Sequence, residues 1–301
     1  MGGAPIFSGA RFSLVLWLDV SSGVEQYYLF SALTIFFIIG LRDDIIPMRP
    51  RFKLLSQLIP VLMVVILSDI KLVSLYSLID IEFNPVVSIL ISVFTLIVIT
   101  NSFNLIDGID GLSGTIGGII LFTFGSWFYL TDHFNLSYIC FAFFGGLIAF
   151  LIYNWSPSKI FMGDTGALLL GFLIGCFCMY FIDYNFRLPS GSEFKVQGSI
   201  SSAVCILIIP LVDTLRVFIL RVIKGHSPLE ADNNHIHHAF ISLGFSHAST
   251  TLILGTINCL FILIAYLGRD LNDRLMLLTI CGLVSLLLSA LSFFSKRKPQ
   301  T

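Results

Sequence analysis

The chain has 301 residues, 56% of them hydrophobic and only 12% charged, with a mean hydropathy of +0.94, whereas a soluble domain carries about 25% charged residues. That balance excludes a soluble globular protein and predicts an integral membrane protein. The formal net charge of −1 points to no charged partner, and no nucleic-acid partner is expected.

Ten apolar runs are predicted as spans, near 5–20, 27–41, 54–70, 85–103, 112–131, 138–153, 165–183, 200–222, 249–267 and 275–294. The first two are short against the roughly 20 residues a bilayer needs. The expected fold class is all-α: a polytopic integral membrane helical bundle of about ten transmembrane helices with cytoplasmic catalytic loops. Residues 1–301 read as one domain with no soluble module and no tandem repeat. The start MGGAPIFSGA lacks the basic region of a secretory signal. Cys140, Cys176, Cys178, Cys205, Cys259 and Cys281 all lie in apolar runs and read as small core residues.

Ten spans place both termini on one side, with the loops after spans two, four, six and eight. That side collects Arg42, Arg49, Arg51, Lys53, Lys159, Lys224 and the C-terminal Lys296, Arg297 and Lys298, against Lys71, Arg187, Lys195, Arg269 and Arg274 opposite. The bias of basic residues predicts that the richer side faces the cytoplasm. The same side gathers the polar stretches GLRDDIIPMRPRFKLLSQ (40–57), NLIDGIDGL (104–112), YNWSPSKIFMGDTG (153–166) and KGHSPLEADNNHIHHAF (224–240). Four loops far apart in sequence are thereby brought to one membrane surface.

Asp43, Asp44, Asp107, Asp110 and Asp164 place five carboxylates in three of those loops. Crowded carboxylates repel unless a proton or a cation intervenes. Hard oxygen donors without cysteine favour Mg²⁺, with Mn²⁺ as the alternative. Because Mg²⁺ takes one or two protein carboxylates and otherwise keeps water or substrate phosphate oxygens, five aspartates exceed one ion. Taken singly, Asp43-Asp44 reads as a solvated helix end and DGIDG as a turn; their presence on one face with FMGDTG favours a site. His235, His237 and His238, behind Lys224 and His226 and beside Asp232, Asn233 and Asn234, predict an anion-binding loop. His133 and His247 lack such a context and read as structural. Asp213 lies inside an apolar run, where it either pairs with Arg216 or supports the site from beneath. Arg49, Arg51 and Lys53 fit a phosphate guide and a membrane anchor equally. Metal, carboxylates, histidines and an apolar bundle together suggest phosphoryl transfer between a soluble nucleotide and a lipid phosphate.

GLRDDIIPMRPRFKLLSQ, NSFNLIDGIDGLSG, FMGDTGALLLGF and HSPLEADNNHIHHAF, in this order over nearly the whole chain, closely resemble the polyprenyl-phosphate N-acetylhexosamine-1-phosphate transferases. These bacterial enzymes start O-antigen, enterobacterial common antigen, teichoic acid or capsule synthesis and are related to the phospho-MurNAc-pentapeptide transferase. The spaced HIHH resembles the O-antigen and teichoic acid branch more than the peptidoglycan one. The resemblance implies that undecaprenyl phosphate attacks the β-phosphate of a UDP-N-acetylhexosamine, with GlcNAc the default sugar, and that UMP leaves. It implies Asp164 and Asp44 at a Mg²⁺ ion, Asp43 as base or phosphate-orienting group, and Asn104 and Asp107 facing nucleoside or sugar. It further implies uracil held by Asp110, Asn154 and Phe161, and phosphate or sugar bound by His237 and His238, with His235 among the substrate contacts. The location implied is the bacterial inner membrane, and a homodimer is an open question. MGGAPIF resembles the end of the family's PRxGG cytoplasmic loop, which in relatives follows a transmembrane helix that this chain is expected to lack. The rival expectations are a divalent-cation or proton-coupled transporter, whose carboxylates would line a path at mid-depth, and an inactive truncated homologue.

Overall fold

The computed structural model describes residues 2–17, 24–68, 70–223, 225 and 235–297. In chain order the helices are α1 (Gly3–Trp17), α2 (Val24–Ile45), α3 (Pro50–Leu67), α4 (Pro85–Ile106), α5 (Leu112–Leu130), α6 (Phe134–Asn154), α7 (Gly163–Arg187), α8 (Ser199–Ile206), α9 (Ile208–Ile223), α10 (Ile236–Ser242), α11 (His247–Leu267) and α12 (Asp273–Arg297). A short antiparallel ribbon, β1 (Ser74–Leu75) with β2 (Ile79–Glu82), lies between α3 and α4. Local chemistry explains several starts. Pro50 and Pro85 occupy the first helical turns of α3 and α4, where a missing N–H costs nothing. Asn84 and Ser246 cap α4 and α11 by accepting from the amides of Val87 at 3.0 Å and Ser249 at 3.2 Å.

Seven helices among the described residues are long and apolar enough to cross a membrane: α3 to α7, α11 and α12. Outside that set, α1 has only 15 residues, and α2 has 22, uncharged from Leu29 to Leu41 and ending in Arg42, Asp43 and Asp44, then Ile45. The protein is an all-α polytopic membrane protein, and each expected span finds a helical counterpart. Span eight needs correction. It breaks at Leu207 into α8 and α9, which meet at 84°. Pro210 marks the bend, since it has no N–H for the Ile206 carbonyl, which accepts instead from the Asn258 side-chain amide at 3.2 Å.

At the centre stands α7, which packs against α1, α2, α4, α5 and α8. Nearly every residue from Thr165 to Ile182 is buried, so it is a helix apolar all round in the middle of a bundle. Backbones approach closely where its first turn meets Gly3 and Gly40, at both of which a Cβ would run into the α7 main chain. The cysteine reading holds for four residues; Cys259 and Cys281 are instead exposed on the apolar flanks of α11 and α12.

The face away from the aspartate loops is tied shut by Asp273. Fully buried, its carboxylate accepts from the amide and hydroxyl of Ser201, each at 2.7 Å, and from the Ser77 hydroxyl. These bonds join the ribbon, α8 and α12.

Candidate active site

Helix α2 delivers two neighbouring aspartates that do different things. Asp44 faces the start of α7, where it accepts from the amides of Asp164 at 2.8 Å and Thr165 at 3.1 Å and from the Thr165 hydroxyl. Four amides at a helix start lack intrahelical partners and carry partial positive charge, so a carboxylate is held well there. Gly163 makes this possible. Its φ is +70°, and a Cβ would lie 2.8 Å from an Asp44 oxygen. Both Asp44 oxygens accept hydrogen bonds from the start of α7.

Asp43 is buried and looks the other way. One oxygen accepts from the Met48 amide at 2.6 Å, and the other lies 3.0 Å from the Lys53 ammonium on α3. Lys53 also reaches Asp164 Oδ1 at 2.7 Å and Asn104 Oδ1 at 3.3 Å, and the Asn104 amide donates to that same Asp164 oxygen. Four helices, α2, α3, α4 and α7, thus meet at one ammonium.

Asp107 closes the end of α4 beside this junction. It accepts from the Ser113 hydroxyl at 2.5 Å. Burial, with Asp164 and Asp44 nearby, pushes its carboxyl up to about 7 against bonds from Ser113 and the Gly163 amide. Asp110 behaves oppositely. Burial raises it, but bonds from Ser158 and the adjacent His247 outweigh that and leave the carboxyl below the usual range. Its oxygens take the Ser158 hydroxyl at 2.8 Å and lie 3.3 Å from His247 Nδ1, while the Asp110 carbonyl accepts from Thr251. His247, read as structural, lies on the site face beside Asp110. Asn154 is buried with its amide satisfied inside the protein, accepting from Gly111 at 2.9 Å and donating to the Ile160 carbonyl at 2.8 Å. Its bonds are those of a brace between two loops. Phe161 is 68% exposed on the same rim, and its carbonyl accepts from the Gly2 amide at 2.7 Å.

The histidines come from α10 and the residue before it. His235 and His237 are buried, with parallel rings 5.4 Å apart, and His238 packs on His237 at 4.4 Å. The His237 ring abuts Gly108, where a Cβ would collide with Nε2, and that nitrogen has no hydrogen-bond partner. Burial pushes the His237 imidazole down to about 4. With that value the ring is neutral at pH 7. Lys224, His226, Asp232, Asn233 and Asn234 lie outside the described residues.

The arrangement brings Asp43, Asp44, Asn104, Asp107 and Asp164 to one junction, with Asp110, Asn154, Phe161 and the histidines around it. Sequence reasoning missed the central place of Lys53 and the contributions of Ser158, Thr165 and His247. For a metal the donors are hard oxygens from Asp43, Asp164 and Asn104 gathered around one positive charge, a set that suits Mg²⁺. No group of three or more His, Cys, Asp or Glu side chains among the described residues is arranged to hold a metal by itself.

Similarity to known proteins bears on this site. An undecaprenyl-phosphate alpha-N-acetylglucosaminyl 1-phosphate transferase of Yersinia pestis is 25% identical over 282 residues, 90% of this chain and 73% of that protein. A probable undecaprenyl-phosphate N-acetylglucosaminyl 1-phosphate transferase of Bacillus subtilis (strain 168) is 28% identical over 267 residues, 87% of this chain and 70% of that protein. A decaprenyl-phosphate N-acetylglucosaminephosphotransferase of Mycolicibacterium smegmatis is 29% identical over 184 residues, 57% of this chain and 45% of that protein. The profile of Glycosyl transferase family 4 matches residues 26–182, which hold the Asp43–Lys53–Asn104–Asp164 junction and leave the histidines outside. That match takes in more than half of the sequence, and the chain belongs to glycosyl transferase family 4.

Proposed function

We propose that the protein transfers an N-acetylhexosamine 1-phosphate unit, by default GlcNAc 1-phosphate, from a UDP-sugar to undecaprenyl phosphate. The supporting observation is the Lys53 junction, an ammonium 3.0 Å from Asp43 and 2.7 Å from Asp164, open on a face of an apolar bundle. The lipid acceptor accounts for the bundle, and the relatives' printed names support polyprenyl phosphate as its class.

An oxygen of the lipid phosphate attacks the β-phosphorus of the donor. The bond from that phosphorus to the α–β bridging oxygen breaks, and UMP leaves with the electron pair. The second proton of a phosphate monoester leaves near pH 6, so at pH 7 the attacking oxygen needs little help from a base. Asp43 then serves by holding Lys53, which offers positive charge to phosphate oxygens. Mg²⁺, held by Asp164, would neutralise charge on the transferring diphosphate. Asn104 and Asp107 face the sugar or nucleoside, Phe161 offers a ring to the base, and neutral His237 meets an oxygen of the donor as a hydrogen-bonding group. The membrane is taken to be the bacterial inner membrane with this face in the cytoplasm.

The test is release of UMP from UDP-GlcNAc by purified protein with and without undecaprenyl phosphate and Mg²⁺. Release requires both additions, and Asp164→Ala lowers it at least about 10²-fold. UMP release without the lipid, or full activity of Asp164→Ala, would overturn the reading. A panel of UDP-sugars in the same assay identifies the sugar.

A further inference from the structure

The proposed mechanism leaves one buried carboxylate of the site side unused. Asp213 lies on α9, six residues past the break with α8, and is 2% exposed. Its two oxygens reach across to the histidine segment. Oδ2 is 2.8 Å from His235 Nδ1, and Oδ1 accepts from the Ile236 amide at 2.6 Å. His235 is the residue before α10, with extended backbone and no side-chain cap bond of its own. Asp213 therefore gives an acceptor to the first amide of α10, one of those with no intrahelical partner.

The consequence runs along α10. Parallel His235 and His237 rings transmit the placement of the first histidine to the second, and His237 stands against Gly108, next to Asp107. A buried ring nitrogen without a partner is uncommon, since nearly all buried polar groups are bonded. This one is packed against the Gly108 main chain, so the ring's placement bears directly on the turn that follows Asp107. The acceptor on Nδ1 also fixes chemistry, because a carboxylate bonded to one imidazole nitrogen holds the proton there and leaves the other with its lone pair.

We propose that Asp213 is the positioning residue of the histidine cluster. It locks the ring of His235 with its proton on Nδ1 and anchors the start of α10, so that His237 is held against Gly108 and the turn carrying Asp107 keeps its shape for the donor. This rests on the sugar-phosphate transfer proposed above.

Two measurements test it separately. Asp213→Asn keeps the shape and an acceptor for the Ile236 amide, but its NH₂ turned to His235 reverses the ring's tautomer. The expected result is a fall in kcat of about 10²-fold with little change in KM for the acceptor lipid and an unchanged melting temperature. In a His235→Gln background the same substitution costs less than about threefold, because its route is already cut. Wild-type kcat in Asp213→Asn, or an equal loss in both backgrounds, would overturn the proposal. The second measurement needs no turnover. Hydrogen exchange at the peptide covering 235–242 accelerates at least tenfold in Asp213→Ala and stays near wild type in Asp213→Asn. Unchanged protection in Asp213→Ala refutes the anchoring. If the parent chain releases no UMP while the exchange result holds, the transfer reading fails and the anchoring stands.

Discussion

Lys53 stands among side chains from three other helices, and its removal leaves Asp43 and Asp164 facing each other with no charge between them. Lys53→Met is expected to lower kcat for UMP release by about 10²-fold or more. Turnover with saturating Mg²⁺ checks this, and a loss under threefold would remove Lys53 from the junction's chemistry. Asp107 offers a second test because its carboxyl is pushed up to about 7. A carboxyl whose pKa rises on folding adds stability below the ordinary value near 4 and loses it as pH climbs through about 7. Asp107→Asn, which mimics the protonated form, should therefore melt higher than wild type at pH 8 and equally at pH 4. Each kcal/mol relieved is worth roughly 2–4 °C, read by scanning fluorimetry of metal-free protein. These roles were only half legible in the sequence. The residue types and their loops were, but Asp43 and Asp44 are identical neighbours, and only the direction each leaves α2 decides which one caps α7. Lys53 sits in a run of basic residues that a membrane anchor explains as well, and its partner Asp164 is 111 positions away.

Among the elements, the start of α7 depends on a left-handed Gly163 that lets Asp44 approach. Gly163→Ala places a methyl group against that carboxylate in a backbone region costing about 1–3 kcal/mol for other residues. The expected outcome is a lower melting temperature together with loss of UMP release. Gly145→Ala, inside α6 where a Cβ would meet nothing, should instead hold or raise the melting temperature, because glycine in a helix interior costs about 0.5–1 kcal/mol relative to alanine. Apolar periodicity revealed the long helices because lipid and core both demand it. It could not reveal the 84° break between α8 and α9, whose signal is Pro210, three residues past Leu207. Nor could it reveal α10, seven residues held by a carboxylate from another helix.

For the whole molecule, the alternation of spans carries the polar stretches to one face, and the described residues of all four meet there. The two faces are built differently, one with carboxylates, Lys53 and histidines, the other tied by Asp273. The transporter expectation wants carboxylates along a path, whereas here the aspartates of three loops gather at one end and Asp213 is engaged by His235. The positive-inside reading makes a direct prediction. A cysteine at exposed Phe161 should resist a membrane-impermeant maleimide in intact cells and react in inverted vesicles, measured by mass shift in a background with Cys259 and Cys281 replaced by serine. Labelling in intact cells would reverse the orientation.

The burial of α7 also bears on how the chain is made. A helix with no lipid-facing side has to trade lipid for protein all round, and one of its packing partners, α8, begins only at Ser199. During synthesis α7 enters the bilayer before that partner exists. A product stopped at Arg187 would leave one flank of its most buried helix facing lipid and should be cleared by quality-control proteases. One stopped after α12 should persist, a difference that pulse-chase labelling in cells would resolve.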